Sequence, residues 1–267
     1  MFSAAQTRTI LAVVSRHARE VAAQMAAMAG ELRATAASKG GAVDVVTAAD
    51  TWSERELTGR LHRLFPDHRI AGEEGTRLGP EDSPWTWHLD PLDGTANFSR
   101  NLPYWAISIG LSHGDVPVLG VIVGPACRID LAGAVGLGVW SHGQRLPSLV
   151  PAGPEKTWIV ASDWPWRLEE RPRVQDFLGR LAPRIRQFKT YGSAAIDLSH
   201  VALGLVDAYA IPGIFPWDQC AGAAICASLG AEFARWDASP WDLRHADIIC
   251  ARPGMLPTLT AATLPTC

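Results

Sequence analysis

The hydrophobic pattern of this chain changes twice along its length, and each change narrows the folds that remain possible. Residues 7–37 are rich in alanine, with larger apolar side chains at helical spacing, and residues 51–64 predict a second helix that the Phe-Pro-Asp stretch 65–67 ends. From residue 85 the sequence shows short apolar runs separated by Gly, Pro, His and Asp, at 85–89, 106–112, 116–123 and 129–135. Such runs are typical of strands in a predominantly antiparallel sheet. The first half therefore predicts two long helices followed by that sheet.

A second change near residue 157 introduces an α/β pattern. Apolar strands alternate there with helical stretches, the strands at 158–161 and 208–211 and the helices at 174–181, 194–203 and 219–229. The Pro- and Gly-rich stretch 147–154 is the best candidate boundary. We therefore predict an α+β unit at residues 1–150 and an α/β unit at residues 151–267. Because 48% of the residues are hydrophobic, the chain can supply a sizeable core.

Charge and cysteine content restrict the classes of partner. The formal net charge is −3, and no dense Lys/Arg run forms the positive patch that nucleic acid or an anionic membrane requires. The sequence shows no run of membrane-span length and no clean secretory signal. The five cysteines form no C-x-x-C pair, which favours reduced thiols over disulfides or a zinc site. We predict a soluble cytoplasmic protein that binds neither nucleic acid nor a membrane.

The most informative motif is Asp-Pro-Leu-Asp-Gly-Thr at residues 90–95, directly after an apolar run. Asp90 and Asp93 should emerge at a strand end, with the backbone carbonyl of Leu92 between them. These oxygen ligands suit a hard cation such as Mg²⁺. Gly94 permits close approach of the backbone, and N–H groups that begin a helix after it can hold a phosphate. Taken alone, the hexapeptide is also an ordinary turn.

Two further acidic motifs accompany the hexapeptide. A Gly-Glu-Glu-Gly stretch contains Glu73 and Glu74 at a predicted strand end, and Pro-Trp-Asp brings Asp218 to the start of an apolar helix. Each has an ordinary explanation as well, because Glu-Glu is often a solvated charge pair and Asp a helix N-cap. The eight histidines show no recognised metal-ligand spacing. Any metal site predicted from these residues therefore uses oxygen ligands rather than histidine.

Together the three motifs resemble those of the inositol monophosphatase family, which has Gly-Glu-Glu, Asp-Pro-[Leu/Ile]-Asp-Gly-Thr and a late Trp-Asp in this order. The resemblance extends to residues 44–50, after Lys39, and to the Gly-Ser-Ala-Ala stretch 192–195, so that it spans nearly the whole chain. It implies a layered αβαβα sandwich of the inositol monophosphatase and fructose-1,6-bisphosphatase type, combining α+β and α/β features. Relatives are commonly homodimers, so the resemblance also implies a homodimer.

The same resemblance implies a Mg²⁺-dependent phosphatase with two or three ions in its active site. The implied metal ligands are Glu73, Asp90, the Leu92 carbonyl, Asp93 and Asp218. Asp50 and Thr95 would orient and deprotonate the attacking water, and Glu74 would assist at the metal site. Because a metal ion lowers the pKa of bound water, no covalent enzyme intermediate is required. The implied substrate-binding positions are Asp93, Gly94, Thr95, Lys189, Gly192, Ser193, Ala194, Ile211 and Asp218.

A superficially similar signature belongs to haloacid dehalogenase-type phosphatases. Their Asp-x-Asp-Gly-Thr motif uses the first Asp to attack phosphorus. Here Asp90 and Asp93 are three positions apart rather than two, and the motif lies far from the N-terminus. The spacing therefore argues against a phosphoaspartyl mechanism.

Two departures from the family pattern concern the substrate. Inositol-specific members have an acidic residue seven positions before the late metal-binding Asp, and this chain has Ile211 there. Isoleucine accepts no hydrogen bond, so a polyol hydroxyl placed against it would be left unpaired. The unpaired hydroxyl would weaken binding by about 1–3 kcal/mol. Lys189 stands where many relatives have Arg. The ammonium group of lysine is a point charge and lacks the planar, forked geometry of a guanidinium. We therefore predict a phosphorylated metabolite other than inositol phosphate, with a sugar phosphate, histidinol phosphate and a nucleotide 3'-phosphate as candidates.

Two alternatives stay open from the sequence. The Trp-rich segment 163–166 either lines a substrate entrance or a subunit contact, or folds onto the local core. The chain as a whole could also be a catalytically silent binding or regulatory protein with the same fold. Retention of the complete predicted ligand set argues against a silent protein, because a non-enzyme has no need of it.

Overall fold

Three helices open the chain in the computed structural model, which describes residues 2–33, 37–38 and 45–264. They are α1 (Ala4–Ala27), α2 (Ala29–Arg33) and α3 (Ala48–Leu64). The prediction of one continuous helix over residues 7–37 was wrong, because the helix ends at the cap residue Met28. Gly30 follows that break, and glycine weakens a helix interior. The predicted helix at 51–64 is confirmed and begins three residues earlier, after the N-cap Thr47.

An eight-stranded sheet forms the centre of the first half. Its strands are β3 (Arg69–Gly72), β4 (Arg77–Leu78), β5 (Trp85–Asp93), β6 (Ala106–His113), β7 (Val116–Gly124), β8 (Ile129–Ala134), β9 (Gly138–Ser141) and β10 (Gln144–Arg145). Their order is β10-β9-β8-β7-β6-β5-β3-β4, and β3 with β5 is the parallel pair among antiparallel ones. The predicted predominantly antiparallel sheet is confirmed. Strands β1 (Ala37–Ser38) and β2 (Val45–Val46) pair separately.

A five-stranded mixed sheet forms the second half, in the order β12-β11-β13-β15-β14. Its strands are β11 (Ile159–Ala161), β12 (Gln187–Lys189), β13 (Ala208–Pro212), β14 (Glu232–Ala234) and β15 (Asp247–Ala251). The helices here are α5 (Arg171–Leu181), α6 (Ala194–Ala202), α7 (Pro216–Ser228) and α8 (Leu256–Thr263). They include the three helices that the sequence predicts, whereas α8 was not predicted. The proposed boundary near residue 150 falls between β10 and β11.

The helices and sheets stack in alternating layers. Helices α1 and α3 cover one face of the eight-stranded sheet, and α6 and α7 lie between the two sheets. Helices α5 and α8 cover the outer face of the five-stranded sheet. Each interface is an apolar cluster, and full burial of a large aliphatic or aromatic side chain in it stabilises the fold by about 1.5–3 kcal/mol. The predicted αβαβα sandwich is confirmed.

Among the described residues, no helix has the length and apolar character needed to cross a membrane.

Candidate active site

A cavity of about 430 Å³ opens where the ends of β3 and β5 meet the first turns of α6 and α7. Its lining includes the acidic residues Glu73, Asp90, Asp93 and Asp218. Glu73 directly follows β3, the two central aspartates belong to β5, and Asp218 lies in the first turn of α7. The fold thus brings together carboxyl groups that are widely separated in sequence.

A bulge in β5 explains how Asp90 and Asp93 share one cavity. Residues three apart on a regular strand point to opposite faces of the sheet. Here the pairing with β6 shifts between these two aspartates, so that Asp90 pairs with Ser108 and Asp93 with Ala106. The Leu92 N–H donates to Asp90 Oδ1 at 2.9 Å, which stabilises the irregular turn. The bulge redirects the strand end so that both carboxyl groups line the cavity.

Asp93 connects the first half of the chain to helix α6. Its Oδ2 accepts a hydrogen bond from the Ser193 hydroxyl at 2.7 Å and another from the Ala195 N–H at 2.5 Å. The next residue, Gly94, has φ of +89° and precedes the short helix α4 (Thr95–Ser99). A Cβ at Gly94 would lie 2.5 Å from the Tyr104 carbonyl oxygen. Only glycine fits this turn, because both the conformation and the space exclude a side chain.

Asp50 and Thr95 form a hydrogen-bonded pair at the edge of the cavity. The Thr95 hydroxyl lies 2.8 Å from Asp50 Oδ1 and 2.9 Å from the Leu92 carbonyl oxygen. Asp50 is fully buried, and its Oδ2 accepts hydrogen bonds from the Thr47 N–H at 2.6 Å and the Thr47 hydroxyl at 2.7 Å. The N-cap of α3 therefore fixes the carboxyl group that contacts Thr95.

Glu54 is a site residue that sequence reasoning missed. Its Oε2 accepts the Glu74 N–H at 2.8 Å and its Oε1 accepts the Thr76 N–H at 3.0 Å. The side chain therefore holds the loop that carries Glu73. A signal was present in the sequence, because Glu54 falls on the same helix face as the buried Leu57 and Leu61. A charged residue on an apolar face needs a polar partner.

Burial and mutual repulsion both act on the acidic residues of the cavity. Burial raises the pKa of Asp90 well above its usual range, and the neighbouring charges of Glu73, Asp93 and Asp218 raise it further. Burial also raises the pKa of Asp218, and the charges of Glu73 and Asp93 raise it further. The Phe215 N–H, which donates to Asp218 at 2.9 Å, opposes this rise. Burial raises the pKa of Asp93 to about 7, although its Ala195 and Ser193 partners oppose the rise. These carboxyl groups need protons or a cation nearby.

The donor set fits a hard divalent cation. Carboxyl groups and the Leu92 carbonyl are the oxygen ligands that Mg²⁺ prefers, and a cation would relieve the repulsion among them. Among the described residues, however, no three Asp, Glu, His or Cys side chains already surround a point suited to a metal ion. The Asp90 carboxyl group instead lies close enough to Glu73 and Asp218 for their charges to raise its pKa. A bound cation would therefore need side-chain positions different from those in this structure.

The other predicted site residues divide into two groups. The cavity lining includes Gly94, Thr95, Gly192, Ser193, Ala194 and Ile211. Lys189 and Glu74 are not among the described residues that line it. Lys189 ends the edge strand β12, and Glu74 lines a separate depression beside α3. Lys39 and Asp44 lie outside the described residues.

Asp163 is a second residue that the sequence did not single out as a site acid. It lines the cavity, and its two carboxyl oxygens accept the Gly192 N–H at 3.0 and 3.1 Å. Burial raises its pKa, although a hydrogen bond with Asp197 and the backbone N–H groups at the start of α6 oppose the rise. No sequence pattern marks this contact, because its partner is a backbone group of a distant loop.

The cavity lining also includes a group of apolar and aromatic residues. We call six of them the aromatic wall: Trp164, Pro165, Trp166, Ile211, Phe215 and Trp217. Trp164 and Trp166 remain 47% and 46% exposed, so they do not fold onto a core. Of the two alternatives for the Trp-rich segment, the structure therefore favours lining of the cavity.

Comparison with known proteins gives consistent matches over nearly the whole chain. The model of the inositol monophosphatase family matches residues 6–267. The chain is 33% identical over 252 residues to an inositol-1-monophosphatase of Synechocystis sp., covering 93% of this chain and 86% of that protein. It is 28% identical over 229 residues to the Nus factor SuhB of Escherichia coli K12, covering 85% of each. The solved inositol monophosphatase of Anabaena (Nostoc) sp. matches with a TM-score of 0.81 and 28% identity, covering 96% of this chain and 95% of that one.

Proposed function

Because this chain belongs to the inositol monophosphatase family and is a phosphoric monoester hydrolase, we propose that it hydrolyses a small phosphorylated metabolite in a Mg²⁺-dependent reaction. The observation that carries this proposal is the convergence of Glu73, Asp90, Asp93 and Asp218 on one cavity. Buried carboxyl groups that raise each other's pKa destabilise a fold unless a cation or a proton compensates them. A structural role alone does not account for such a cluster in the lining of a cavity.

We propose that the pair of Asp50 and Thr95 activates the attacking water. Thr95 Oγ1 would accept a proton from water while its own proton passes to Asp50 Oδ1, 2.8 Å away. The two hydrogen bonds from Thr47 keep Asp50 oriented for this transfer. Glu74 would assist indirectly, because it lies in the loop that carries Glu73 and its backbone N–H donates to Glu54 of helix α3.

The phosphate would lie between the acidic residues and the first turns of α4 and α6. N–H groups of Gly94 and Thr95 would bind its oxygens, and Ser193 and Ala194 line the same region. When bound, two or three Mg²⁺ ions would neutralise the phosphate and lower the pKa of water at the site. Glu73, Asp90, Leu92, Asp93 and Asp218 are the residues proposed to hold them.

Ile211 supports a substrate other than inositol phosphate. It is 7% exposed and lines the cavity at the end of β13, where it offers no acceptor to a polyol hydroxyl. A sugar phosphate, histidinol phosphate and a nucleotide 3'-phosphate remain the candidates. A homodimer and a cytoplasmic location are further proposals.

The rival function is that of a protein that binds a partner and does not turn over substrate. Its support is the similarity to the Nus factor SuhB of Escherichia coli, whose name denotes no phosphatase. The intact Asp50 and Thr95 pair favours the enzyme, because a scaffold does not need an oriented proton acceptor.

Phosphate release from a panel of phosphorylated metabolites, with Mg²⁺ and with chelator, tests the proposal. We expect at least one strong, Mg²⁺-dependent substrate. Thermal unfolding with and without Mg²⁺ should be measured in parallel, since bound ligand stabilises the folded state. Stabilisation by Mg²⁺ without phosphate release from any compound would favour the binding protein.

A further inference from the structure

The aromatic wall gives the cavity a chemical character unlike that of a polyol site. None of its six side chains carries a hydrogen-bond acceptor, since Trp has only a donor and Pro, Ile and Phe have neither. The O–H groups of a polyol leaving group would therefore find no acceptor among these side chains. A flat apolar group would instead exchange water contact for ring contact.

Most of the wall is held in place by stacked rings. Trp166 stacks on Phe215 with centroids 5.6 Å apart and planes 20° apart, and Phe215 stacks on Trp217 at 4.9 Å and 22°. Two arginine side chains make cation–π contacts with this stack. The Arg167 guanidinium lies 5.2 Å from the Trp166 centroid, and that of Arg77 lies 5.4 Å from Trp217. The wall is thus preorganised, so that binding against it orders few side chains.

Trp164 differs from the rest of the wall because no other ring or cation of the described residues stacks on its indole. It nevertheless lines the cavity, and almost half of its surface remains in contact with solvent. An indole of this kind presents a large face with few rotatable bonds, which is suitable for stacking on a flat ligand.

Hydrogen bonds connect the residue before Trp164 to the segment that holds Asp93. The preceding residue, Asp163, accepts the Gly192 N–H at 3.0 Å. Ser193 is next in the chain and donates to Asp93 at 2.7 Å. The stacking surface and the predicted metal ligands therefore belong to one connected framework.

We propose that the leaving group of the substrate carries a flat π-electron ring that stacks on Trp164, an inference that rests on the proposed phosphatase function. Water would add to phosphorus, the bond from phosphorus to the ring-bearing alcohol would break, and the departing alkoxide would take up a proton. The products are inorganic phosphate and the ring-bearing alcohol. A cavity of about 430 Å³ is within the usual size range for a ligand of this kind.

Matched esters test the ring. 2-Phenylethyl phosphate and 2-cyclohexylethyl phosphate have the same connectivity, but only the first is flat, and inositol 1-phosphate represents the polyols. We expect kcat/KM to be about fivefold to tenfold higher for the phenyl ester, mainly through KM, as for one stacking interaction of ordinary strength. Comparing kcat/KM for a nucleoside 3'-monophosphate and for ribose 3-phosphate shows whether the ring that stacks on Trp164 is a nucleobase. Equal values for the phenyl and cyclohexyl esters, or a preference for inositol phosphate, would overturn the proposal.

Variants assign the preference to Trp164. Trp164→Ala should abolish the ratio between the phenyl and cyclohexyl esters, whereas Trp164→Phe should keep most of it. Leu168→Ala is the matched control, because Leu168 is 59% exposed nearby and does not line the cavity. A ratio that survives in Trp164→Ala would show that this residue does not bind the ring.

Binding of the non-hydrolysable 2-phenylethyl and 2-cyclohexylethyl phosphonates, measured calorimetrically with Mg²⁺, separates the two proposals. A Trp164-dependent preference for the phenyl phosphonate without turnover of any ester would support the ring site and reject the phosphatase. Turnover with no ring preference in either assay would support the phosphatase and reject the ring site.

Discussion

Replacing Glu54 by glutamine should weaken the loop that carries Glu73. Glu54 is 3% exposed, and its two carboxyl oxygens each accept one backbone N–H, from Glu74 and Thr76. Glutamine has nearly the same shape but only one acceptor oxygen, so its NH₂ group must face one of these donors. The side chain has no room to turn away, because Gly72 packs so tightly against the carboxyl group that a Cβ there would overlap it.

The expected loss of stability in Glu54→Gln follows from the hydrogen bonds that the substitution changes. A hydrogen bond to a charged group contributes about 1.5–3 kcal/mol, and an N–H group left buried without an acceptor carries a similar penalty. We therefore expect Glu54→Gln to lower the free energy of unfolding by about 3 kcal/mol. For a chain of this size the melting temperature should fall by about 6–10 °C. Because Glu54 positions a proposed metal ligand, the affinity for Mg²⁺ should also fall, by about 10–100-fold.

Thermal unfolding and calorimetric titration with Mg²⁺ measure the two effects. Glu56→Gln is the matched control, because Glu56 lies on the same helix but its side chain is 35% exposed and faces Arg60 at 3.6 Å. Loss of that surface ion pair should change stability by less than about 1 kcal/mol. A Glu54→Gln protein that melts and binds Mg²⁺ like the wild type would refute the assignment of Glu54 as the residue that holds this loop.

Three further perturbations test the proposed site. Asp93→Asn should abolish Mg²⁺-dependent phosphate release while circular dichroism stays unchanged, because it removes a charged ligand, and wild-type turnover would exclude Asp93 from the metal set. Thr95→Ala should lower kcat by roughly 10²–10⁴-fold with little change in KM, because the hydroxyl acts on water, and steady-state kinetics would reveal an unaffected kcat. Without Mg²⁺, urea titrations from pH 6.5 to 8 should show the unfolding free energy falling with pH, because burial raises the pKa of Asp93 to about 7 and those of Asp90 and Asp218 well above their usual range. The folded state then holds protons that the unfolded chain has already released, with a slope of up to about 1.4 kcal/mol per pH unit for each proton. Burial lowers the pKa of His88 to about 4, so this residue makes the unfolding free energy rise with pH, but only below about pH 6.5. An unfolding free energy that does not change between pH 6.5 and 8 would contradict the expectation.

Sequence patterns predicted the longer strands of the eight-stranded sheet closely. Strands β6 and β7 extend the predicted runs 106–112 and 116–123 by one residue each, because Gly, Pro and Asp mark their ends. The short strands β12 and β14 were not predicted. Each has three residues, too few to show a period, and each forms only because β11 or β15 supplies hydrogen-bond partners.

In the candidate site as well, some features could be predicted from the sequence and others only from the fold. The residue types in Asp-Pro-Leu-Asp-Gly-Thr already indicate oxygen ligands and a turn that needs glycine, since ligand chemistry and backbone conformation are local properties. The hydrophobic pattern shows which face of α3 is buried but not what lies against it. The contact between Glu54 and the loop of Glu74 therefore became visible only in the fold.

The sequence by itself determined the resemblance to the family, because the motifs that carry it lie within short segments. That resemblance implied the layered architecture and the acidic residues proposed to bind metal. Only the tertiary structure decided that Asp163 binds the start of α6 and that Trp164 faces the cavity rather than a core. Those outcomes depend on how loops from distant parts of the chain pack together. An exposed and a buried tryptophan have the same side chain, and packing alone distinguishes them.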